Sequence, residues 1–523
     1  MRGRERRLVA VVVALITVLP MGLASQSTAG GAAFAQGVAA RARVRSAILW
    51  TRLPEPGRYK WVVIRARDSG HRPITGGGTV TSSRDLTVHV KVGGLKPGTR
   101  YFYNFITAGG TVGPGGFFRT APLPDGRAPL KLAFSGDSDV FWTDHPDPST
   151  PPFAVLDRIR AEQPDLFVYL GDTIYSDSEA GGEIALTRSE KWAKYRDNRI
   201  GPTRRLLRTT STWAIWDDHE TINDFDGAEL INSDPDLMRA GSKAFSDYWP
   251  VPNYWPLGSN RTYWKLDWGR KIDILFLDER SFRSQSADEL TDNPCRNEEG
   301  ELDLAPMMPE EDRAELGMEP VDPACVEHIL EPDRTMLGAR QLRWLKHRLQ
   351  DDSSRWKLIV NQVPIVQLFV LPYDRWEGYV AERTDLLQFI DDENINGVVF
   401  LTTDIHANAG SPSFVDILAE GTDPVAYEVV TGPIQTCTLD CESDRILGFE
   451  LGGEVLRNFL IDHDLFYNED GIPHCAAIDE YGYSVISTTA RARRLHVEWR
   501  LARPAGGGRG RLIDGCEPRN LRP

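Results

Sequence analysis

The chain has 523 residues, of which 41% are hydrophobic and 26% are charged, and its formal net charge at pH 7 is −15. These values are ordinary for a globular protein, and the length predicts two domains with appendages. The acidic balance argues against nucleic acid or anionic lipid as a main partner, because phosphate backbones require clustered lysine and arginine. A small phosphorylated substrate remains compatible, since metal ions can supply positive charge locally.

Residues 1–35 are predicted to be a secretory signal and not part of the fold. Four arginines within the first seven residues precede an apolar stretch over residues 8–23, and Ala33-Phe34-Ala35 provides small residues for cleavage. This order is typical of a signal peptide. The stretch is short and contains Pro20, which disfavours a permanent membrane anchor. Arg6-Arg7 permits twin-arginine export, so we expect a secreted or extracytoplasmic protein.

Residues 36–122 have the pattern of a β-sandwich. Four segments rich in β-forming residues (46–52, 61–65, 86–92 and 101–105) are separated by turns that contain glycine and proline. The sequence Leu95-Lys-Pro-Gly-Thr-Arg-Tyr101 resembles the turn and following tyrosine of fibronectin type III modules. We therefore predict a packing or positioning domain without catalytic chemistry.

Residues 130–502 are predicted to form an α/β domain. Apolar strands alternate with segments at helical spacing over residues 153–162, 188–207 and 337–349. An acidic, proline-rich stretch over residues 284–335 interrupts this alternation and indicates a surface insertion. Residues 503–523 are predicted to be a C-terminal tail.

All six cysteines lie in the C-terminal half, at positions 295, 325, 437, 441, 475 and 516. An even number of cysteines in an exported chain favours disulfides. Cys437 could close a short loop with Cys441, and Cys295 with Cys325 could staple the insertion. A zinc site is the alternative, but the sequence has no Cys-x-x-Cys pair to support it.

Seven apolar runs in the α/β region end in, or near, a residue with metal-binding or turn-forming chemistry. These residues are Asp137, Asp172, Asp218 with His219, Asp278, Asn361, Asp404 with His406, and Gly432-Pro433. Such runs are typical of strands buried on both faces, and ligands in α/β folds bind beyond the carboxyl ends of the strands. The runs therefore predict one cluster of oxygen ligands.

Each of these positions taken alone is explained by a cap or a turn, and Asn361 most readily so. Taken together they indicate a metal site. Gly171 permits a tight turn that brings Asp172 and Tyr175 together, and the ionisable groups of Asp217-Asp218-His219-Glu220 are costly to gather without a cation. The mostly oxygen donors favour hard cations such as calcium, manganese or ferric iron.

Arg280 follows Asp278-Glu279 at the end of another predicted strand. Its guanidinium could hold a phosphate in two parallel hydrogen bonds. A structural salt bridge explains the residue equally well.

The sequence resembles the alkaline phosphatase D (PhoD-like) family of calcineurin-like metallophosphatases. The motifs are Gly171-Asp-Thr-Ile-Tyr175, Trp216-Asp-Asp-His-Glu220, Leu277-Asp-Glu-Arg280, Leu337-Gly-Ala-Arg-Gln-Leu-Arg-Trp-Leu345 and Thr403-Asp-Ile-His406. The resemblance covers nearly the whole chain, and Trp-Asp-Asp-His-Glu is its most specific piece. It implies a core of two mixed β-sheets flanked by helices, preceded by a fibronectin type III-like sandwich.

The resemblance also implies roles for individual residues. Its expected metal ligands are Asp137, Asp172, Tyr175, Asp218, Asp404 and His406, with Asp172 as the bridge. Asn361 falls where the wider superfamily has a ligand histidine, and His219 matches the superfamily's catalytic histidine. Known members use calcium and iron, hydrolyse phosphomonoesters and phosphodiesters, and act outside the cytoplasm.

The first motif departs from the family. The family commonly has Ser-Cys there, with the cysteine bound to iron, whereas this chain has Ser135-Gly136-Asp137-Ser138-Asp139. Asp137 or Asp139 could take the place of the missing thiolate, so the expectation of iron rests on the other ligands.

The sequence thus predicts an exported phosphoesterase in which two or more cations activate a hydroxide for attack on a phosphate mono- or diester. His219 would orient the phosphate or protonate the leaving oxygen, and Arg280 would stabilise developing charge. The substrate would be a small phosphorylated molecule or a cell-envelope phosphodiester. The alternative is a non-catalytic envelope binding protein stabilised by calcium, although a structural calcium site has no use for His219.

Overall fold

The structure is a computed structural model that describes most of the chain after residue 33. The described residues are 34–67, 72–146, 149–178, 182–251, 261–289, 293–297, 300–315, 317–351, 353–416, 423–447, 452–462, 475–502 and 508–523. The predicted signal peptide lies almost entirely outside them. Among the described residues, no helix has the length and apolar character needed to cross a membrane.

The strands occur along the whole described chain. They are β1 (Val38–Ala42), β2 (Ala47–Arg52), β3 (Gly57–Arg65), β4 (Ile74–Val80), β5 (Thr87–Val92), β6 (Arg100–Thr107), β7 (Gly116–Arg119), β8 (Leu130–Ser135), β9 (Leu166–Tyr169), β10 (Ser211–Ala214), β11 (Trp264–Trp268), β12 (Ile272–Phe276), β13 (Trp356–Val360), β14 (Val398–Thr402), β15 (Asn408–Ser413), β16 (Ala426–Val430), β17 (Ala476–Ala477), β18 (Gly482–Thr488), β19 (Leu495–Leu501) and β20 (Arg519–Leu521).

The described α-helices begin after β8. They are α1 (Ala154–Glu162), α2 (Arg188–Asn198), α3 (Gly201–Leu207), α4 (Gly227–Ser233), α5 (Pro235–Tyr248), α6 (Glu310–Glu315), α7 (Pro323–Ile329), α8 (Gly338–Leu349), α9 (Val380–Asp392), α10 (Leu439–Leu447) and α11 (Gly452–Asp462). The predicted insertion over residues 284–335 contains α6 and α7.

All seven apolar runs singled out in the sequence are strands, and they belong to two different sheets. A nine-stranded sheet has the order β20-β19-β18-β8-β9-β10-β1-β2-β5, and a seven-stranded sheet has the order β11-β12-β13-β14-β16-β15-β17. Strands β8, β9 and β10 are parallel in the first sheet, and β12, β13, β14 and β16 are parallel in the second. The carboxyl ends within each parallel set therefore share one edge.

The two sheets share a hydrophobic core. Side chains from β8, β9 and β10 form a single buried cluster with side chains from β12, β13 and β14. Within it, the rings of Trp213 on β10 and Phe276 on β12 stack with centroids 4.6 Å apart. This confirms the predicted core of two mixed sheets flanked by helices.

The N-terminal sandwich is also confirmed, and one of its layers continues the nine-stranded sheet. Strand β1 pairs in parallel with β10, and Ala40 lies opposite Ser211. The other layer is a four-stranded sheet of order β4-β3-β6-β7. In the predicted fibronectin-like turn, the Tyr101 hydroxyl accepts a hydrogen bond from the backbone N–H of Lys96 at 2.8 Å. The sandwich is thus joined to the α/β core by backbone hydrogen bonds.

Three disulfides use all six cysteines. Cys295 bonds to Cys325 and Cys437 bonds to Cys441, as predicted, and Cys475 bonds to Cys516. The last bond lies next to strand β20, which pairs with β19. The described part of the predicted tail is therefore attached to the fold.

Candidate metal centre

Carboxylates from both sheets meet beyond the strand ends. Asp137 follows β8, Asp172 follows β9, and Asp404 and His406 follow β14. All four adopt left-handed backbone angles, with φ values of 59°, 46°, 75° and 52°. That conformation costs a residue with a side chain about 1–2 kcal/mol, and such strain is concentrated at functional sites. The turns after these strands therefore hold the four side chains in place through a strained backbone.

Three groups of potential ligands account for most of the predicted metal residues. They are Asp137 with Asp172 and His406, Asp172 with Asp218 and His219, and Asp217 with Asp218 and Asp404, and within each group the ligand atoms lie within 4.8 Å of one another. Asp172 and Asp218 each belong to two of these three groups, and Asp172 is the residue that joins the group of Asp137 and His406 to that of Asp218 and His219. A further group, Asp218 with Asp224 and Asp374, extends the acidic region.

Glu220 ties two of the strand ends together. Its side chain accepts hydrogen bonds from the backbone N–H groups of Asp172 at 3.1 Å, Thr173 at 2.7 Å and Asp217 at 2.7 Å. It also closes a reciprocal cap with Asp217 at the start of the short 3₁₀ turn Asp218–Glu220. One buried carboxylate thus fixes the turns after both β9 and β10.

Tyr175 lies between the two histidines of the site. Its hydroxyl is 2.8 Å from Nε2 of His406, and its ring stacks on His219 with centroids 4.0 Å apart. The phenol oxygen and Nε2 of His406 are close enough to bind one cation together. The structure therefore brings Tyr175 to the group formed by Asp137, Asp172 and His406.

His219 lies nearer the solvent than the carboxylates it follows. Its side chain is 17% exposed, and its Nδ1 lies 2.6 Å from Oδ1 of Asp177. Burial lowers the pKa of His219, but the charges of Asp177 and Asp218 outweigh burial and raise it to about 10. In the metal-free protein these charges therefore favour the protonated imidazole.

Arg280 lies deep inside the cluster. Its side chain is fully buried and pairs with Asp217, with Asp374 at 2.5 Å, with Asp404 at 3.1 Å and with Asp218 at 3.5 Å. Burial opposes the charged form of Asp218, yet Arg280 and His219 hold the pKa of that carboxyl below its usual range. In this arrangement the guanidinium faces protein carboxylates.

Three of the proposed ligand carboxylates, those of Asp137, Asp172 and Asp404, have raised pKa values. Burial raises the pKa of Asp137 to about 6. Burial, followed by the charges of Asp218 and Asp217, raises the pKa of Asp172 well above its ordinary value. Burial and the charge of Asp374 do the same for Asp404. Protein cations alone therefore do not compensate all of the carboxylates.

These residues fit bound metal cations. Oδ1 of Asp137 and Oδ2 of Asp217 are buried and have no hydrogen-bond partner among the described residues. The crowded, desolvated carboxylates need positive charge beyond that of Arg280 and His219. Oxygen donors with one imidazole are the ligand set that hard cations prefer.

Two strand-end residues have other uses. Asn361 accepts a hydrogen bond from Nε1 of Trp376 at 3.3 Å and contacts the carbonyl of Val363 through its own Nδ2. Asp278 accepts hydrogen bonds from Ser281 and from Nε1 of Trp216. The contacts described for both residues organise loops.

The first motif is tightly enclosed. A Cβ at Gly136 would lie 2.9 Å from Cγ2 of Thr403 and 3.3 Å from the carbonyl oxygen of Gly171. A cysteine at position 136 would therefore require the Thr403 side chain to shift. Of the two aspartates that follow, Asp137 lies in a ligand group, whereas Oδ1 of Asp139 accepts a hydrogen bond from the backbone N–H of Phe141 at 2.9 Å.

Several residues of the site had no assigned role in the sequence analysis. Glu220 was part of a quoted motif, and its spacing from Asp217 is that of a capping box, which could have identified it. Asp177 and Asp374 stand in loops without a local pattern. Glu442, whose Oε1 lies 2.8 Å from Nδ1 of His406, follows a cysteine and likewise gave no signal.

The fold and the site together define a metallophosphatase architecture: two sheets whose strand ends converge on an oxygen-rich centre. The profile of the PhoD-like phosphatase family matches residues 148–497, and the profile of its N-terminal domain matches residues 21–122. The chain belongs to the PhoD-like phosphatase family, which confirms the resemblance carried by the motifs.

Characterised relatives share part of the sequence. Alkaline phosphatase D of Bacillus subtilis (strain 168) is 26% identical over 412 residues, which is 71% of this chain and 64% of that protein. The match therefore spans less than two thirds of that relative's length. Purple acid phosphatase 21 of Arabidopsis thaliana is 26% identical over 180 residues, 34% of this chain and 32% of that protein.

Solved structures share the fold. A structure of PhoD superposes with a TM-score of 0.68 at 19% identity, covering 95% of this chain and 93% of that one. The purple acid phosphatase PPD1 from yellow lupin (Lupinus luteus) seeds superposes with a TM-score of 0.51 at 11% identity, covering 91% and 72% respectively.

Proposed function

We propose that this protein is a metal-dependent phosphoesterase that hydrolyses phosphate mono- or diesters outside the cytoplasm. The observation that carries the proposal is the position of Asp172, which joins the ligand group of Asp137 and His406 to that of Asp218 and His219. An anionic phosphate would be attracted to such a centre once cations occupy it. Family membership supports the same reaction class.

The ligand residues fall into two sets that share Asp172. Asp137, Tyr175 and His406 would complete one cation site with it, and Asp218 and Asp404 would complete the other. Asn361 is retained as a proposed ligand only through its position in the sequence. Bound cations would lower the pKa of water and offset the charge of the phosphate. Calcium, iron and manganese are all compatible with this donor set.

His219 and Arg280 have different proposed roles. His219 is cationic and partly exposed, so it would donate a hydrogen bond to the phosphate or a proton to the leaving oxygen. Arg280 is fully buried among carboxylates, so it would act by holding Asp218 and Asp404 in place.

The proposed extracytoplasmic location is supported by the three disulfides, which persist in oxidising compartments. The substrate would be a small phosphorylated molecule or a cell-envelope phosphodiester. The acidic net charge is compatible with either because the attraction for phosphate is local.

The test compares hydrolysis of a nitrophenyl phosphomonoester and of the matching diester by the purified protein. The protein is stripped of metal and then supplied with calcium, manganese or iron, alongside Asp172→Ala. Turnover that returns with metal and is lost in the variant is the expected result. A protein that binds calcium and melts cooperatively but hydrolyses neither ester with any metal would instead be a calcium-stabilised binding protein.

A further inference from the structure

The outer side of His406 faces a short helix that follows a disulfide. Nδ1 of His406 lies 2.8 Å from Oε1 of Glu442 in the first turn of α10. Nε2 of the same ring lies 2.8 Å from the Tyr175 hydroxyl, on the side of the ligand group. The ring therefore has one nitrogen toward the proposed cation site and the other toward Glu442.

A histidine that binds a cation through one nitrogen needs its proton on the other. A carboxylate at that second nitrogen fixes the tautomer, holds the ring plane and makes the ligand nitrogen more basic. Oε1 of Glu442 lies at ion-pair distance from Nδ1 of His406, which has no hydrogen bond among the described residues, so Glu442 is the carboxylate that would take this role. Its side chain is 33% exposed, whereas that of His406 is 7% exposed, so the carboxylate lies between the ligand and the solvent.

The position of Glu442 depends on the Cys437–Cys441 disulfide. This bond spans a sequence separation of 4 and closes the chain directly before Glu442. Within the same turn, the N–H of Leu439 donates to the carbonyl of His406 at 3.1 Å, and the N–H of Glu442 donates to the carbonyl of Thr438 at 2.9 Å. The start of α10 is thus held by one hydrogen bond within its own turn and by another to the backbone of His406.

A disulfide that closes so short a loop removes little entropy from the unfolded chain. The Cys295–Cys325 and Cys475–Cys516 bonds span separations of 30 and 41 and constrain the unfolded chain far more. Global stabilisation therefore explains the Cys437–Cys441 bond least well of the three. A local role in shaping the start of α10 explains its location beside a ligand.

We propose that Glu442, held by the Cys437–Cys441 loop, is a positioning residue that orients His406 for cation binding. The proposal rests on the proposed function to the extent that it requires a cation at the Asp137, Asp172 and His406 group. It predicts that the carboxylate and the disulfide act on metal affinity as one unit.

A competing explanation is that Glu442 only stabilises the helix start, because acidic residues are favourable in the first turn of a helix. Asp440 lies in the same first turn and provides the matched control. Asp440→Asn removes the same charge from the same turn, and the charges that act on Asp440 are those of Asp479, Asp444 and Arg457. The Cys295→Ser/Cys325→Ser variant is the matched control for removing a disulfide.

The experiment measures Mn²⁺ affinity and stoichiometry for the full chain by equilibrium dialysis against a competing chelator. Glu442→Gln and Cys437→Ser/Cys441→Ser are each expected to lower the affinity for one of the bound Mn²⁺ ions by about 10- to 100-fold. The triple variant, which combines Glu442→Gln with Cys437→Ser/Cys441→Ser, is expected to bind Mn²⁺ as tightly as the disulfide variant alone, because coupled changes are not additive. Both control variants are expected to keep wild-type affinity, and unfolding of the metal-free forms verifies that all variants fold.

Different failures have different meanings. Wild-type affinity in Glu442→Gln, or a loss matched by Asp440→Asn, would overturn the positioning role alone. Fully additive losses in the triple variant would overturn the coupling between carboxylate and disulfide. A wild-type protein that binds no Mn²⁺ in this dialysis, and neither calcium nor iron in parallel dialyses, would overturn the proposed function together with this inference.

Discussion

Nδ1 of His219 lies 2.6 Å from Oδ1 of Asp177, and this pair holds the imidazole beside Asp172 and Asp218 of the carboxylate cluster. Asp177 also accepts a hydrogen bond from the backbone N–H of Asn223 at 2.7 Å, which fixes its orientation. In the proposed reaction, His219 held by Asp177 would meet the phosphate bound at the cation sites.

Asp177→Asn is expected to shift the alkaline limb of kcat/KM for phosphoester hydrolysis to lower pH. The charge of Asp177 is the largest of those that raise the pKa of His219 to about 10. Without this charge the imidazolium would lose its proton at a lower pH. The shift should be about 1–3 pH units, as for other close charge pairs. A pH–rate profile measures it, with the exposed Asp197→Asn as control. An unchanged limb would mean that His219 does not supply the essential proton.

Glu220→Gln is expected to destabilise the metal-free protein by about 1–3 kcal/mol, because the new amide cannot accept all the backbone N–H groups that the carboxylate accepts. It should also weaken cation binding, since Asp172 and Asp217 are held through Glu220. Denaturant unfolding and a chelator competition provide the two readouts. The exposed Glu229→Gln is the control, and equal behaviour of the two variants would contradict the assigned role.

Arg280→Met is expected to destabilise the metal-free protein by about 3–5 kcal/mol, the usual effect of leaving buried charges unpaired. Added cations should recover part of this loss, because they supply positive charge to the same carboxylates. Arg280→Lys should be intermediate, since an ammonium keeps the charge but cannot pair with as many oxygens. Thermal melting with and without Mn²⁺ tests this. A loss that Mn²⁺ leaves unchanged would separate Arg280 from the metal centre.

Cation affinity is expected to fall below about pH 6. Burial raises the pKa of Asp137 to about 6, so protons and cations compete for its oxygen at that pH. Each further unit of acidification should weaken binding about tenfold for each proton displaced. Chelator competition between pH 4.5 and 8 measures this dependence, and a flat profile would exclude Asp137 as a ligand.

The raised pKa of Asp137 also makes the stability of the metal-free protein depend on pH. Because the pKa of Asp137 is raised in the folded state, its protonated form favours folding at low pH, and that contribution is lost as the pH rises through about 6. Burial also raises the pKa values of Asp172 and Asp404, so their protonated forms favour folding at low pH in the same way. The metal-free protein should therefore melt at a higher temperature near pH 5 than near pH 8. Saturating cation should remove most of that difference.

The sequence by itself determined the strands, the disulfide chemistry and the family. Each of the seven apolar runs became a strand because continuous burial is encoded locally, in four to six consecutive residues. The short Cys437–Cys441 loop was predictable because its two ends are neighbours in the chain. Asp137, Asp172, Asp218, Asp404 and His406 could be selected because each directly follows such a strand.

Only the tertiary structure decided which strand-end residues meet. The seven strands are divided between two sheets, so the carboxylates of β8, β9 and β10 meet those of β14 across a shared core, whereas Asp278 and Asn361 were drawn into loop hydrogen bonds. The contact between Tyr175 and His406 joins residues 231 positions apart. Asp177, Glu220 and Glu442 have their roles for the same reason: sheet order and turn geometry set these distances, and no local pattern encodes them.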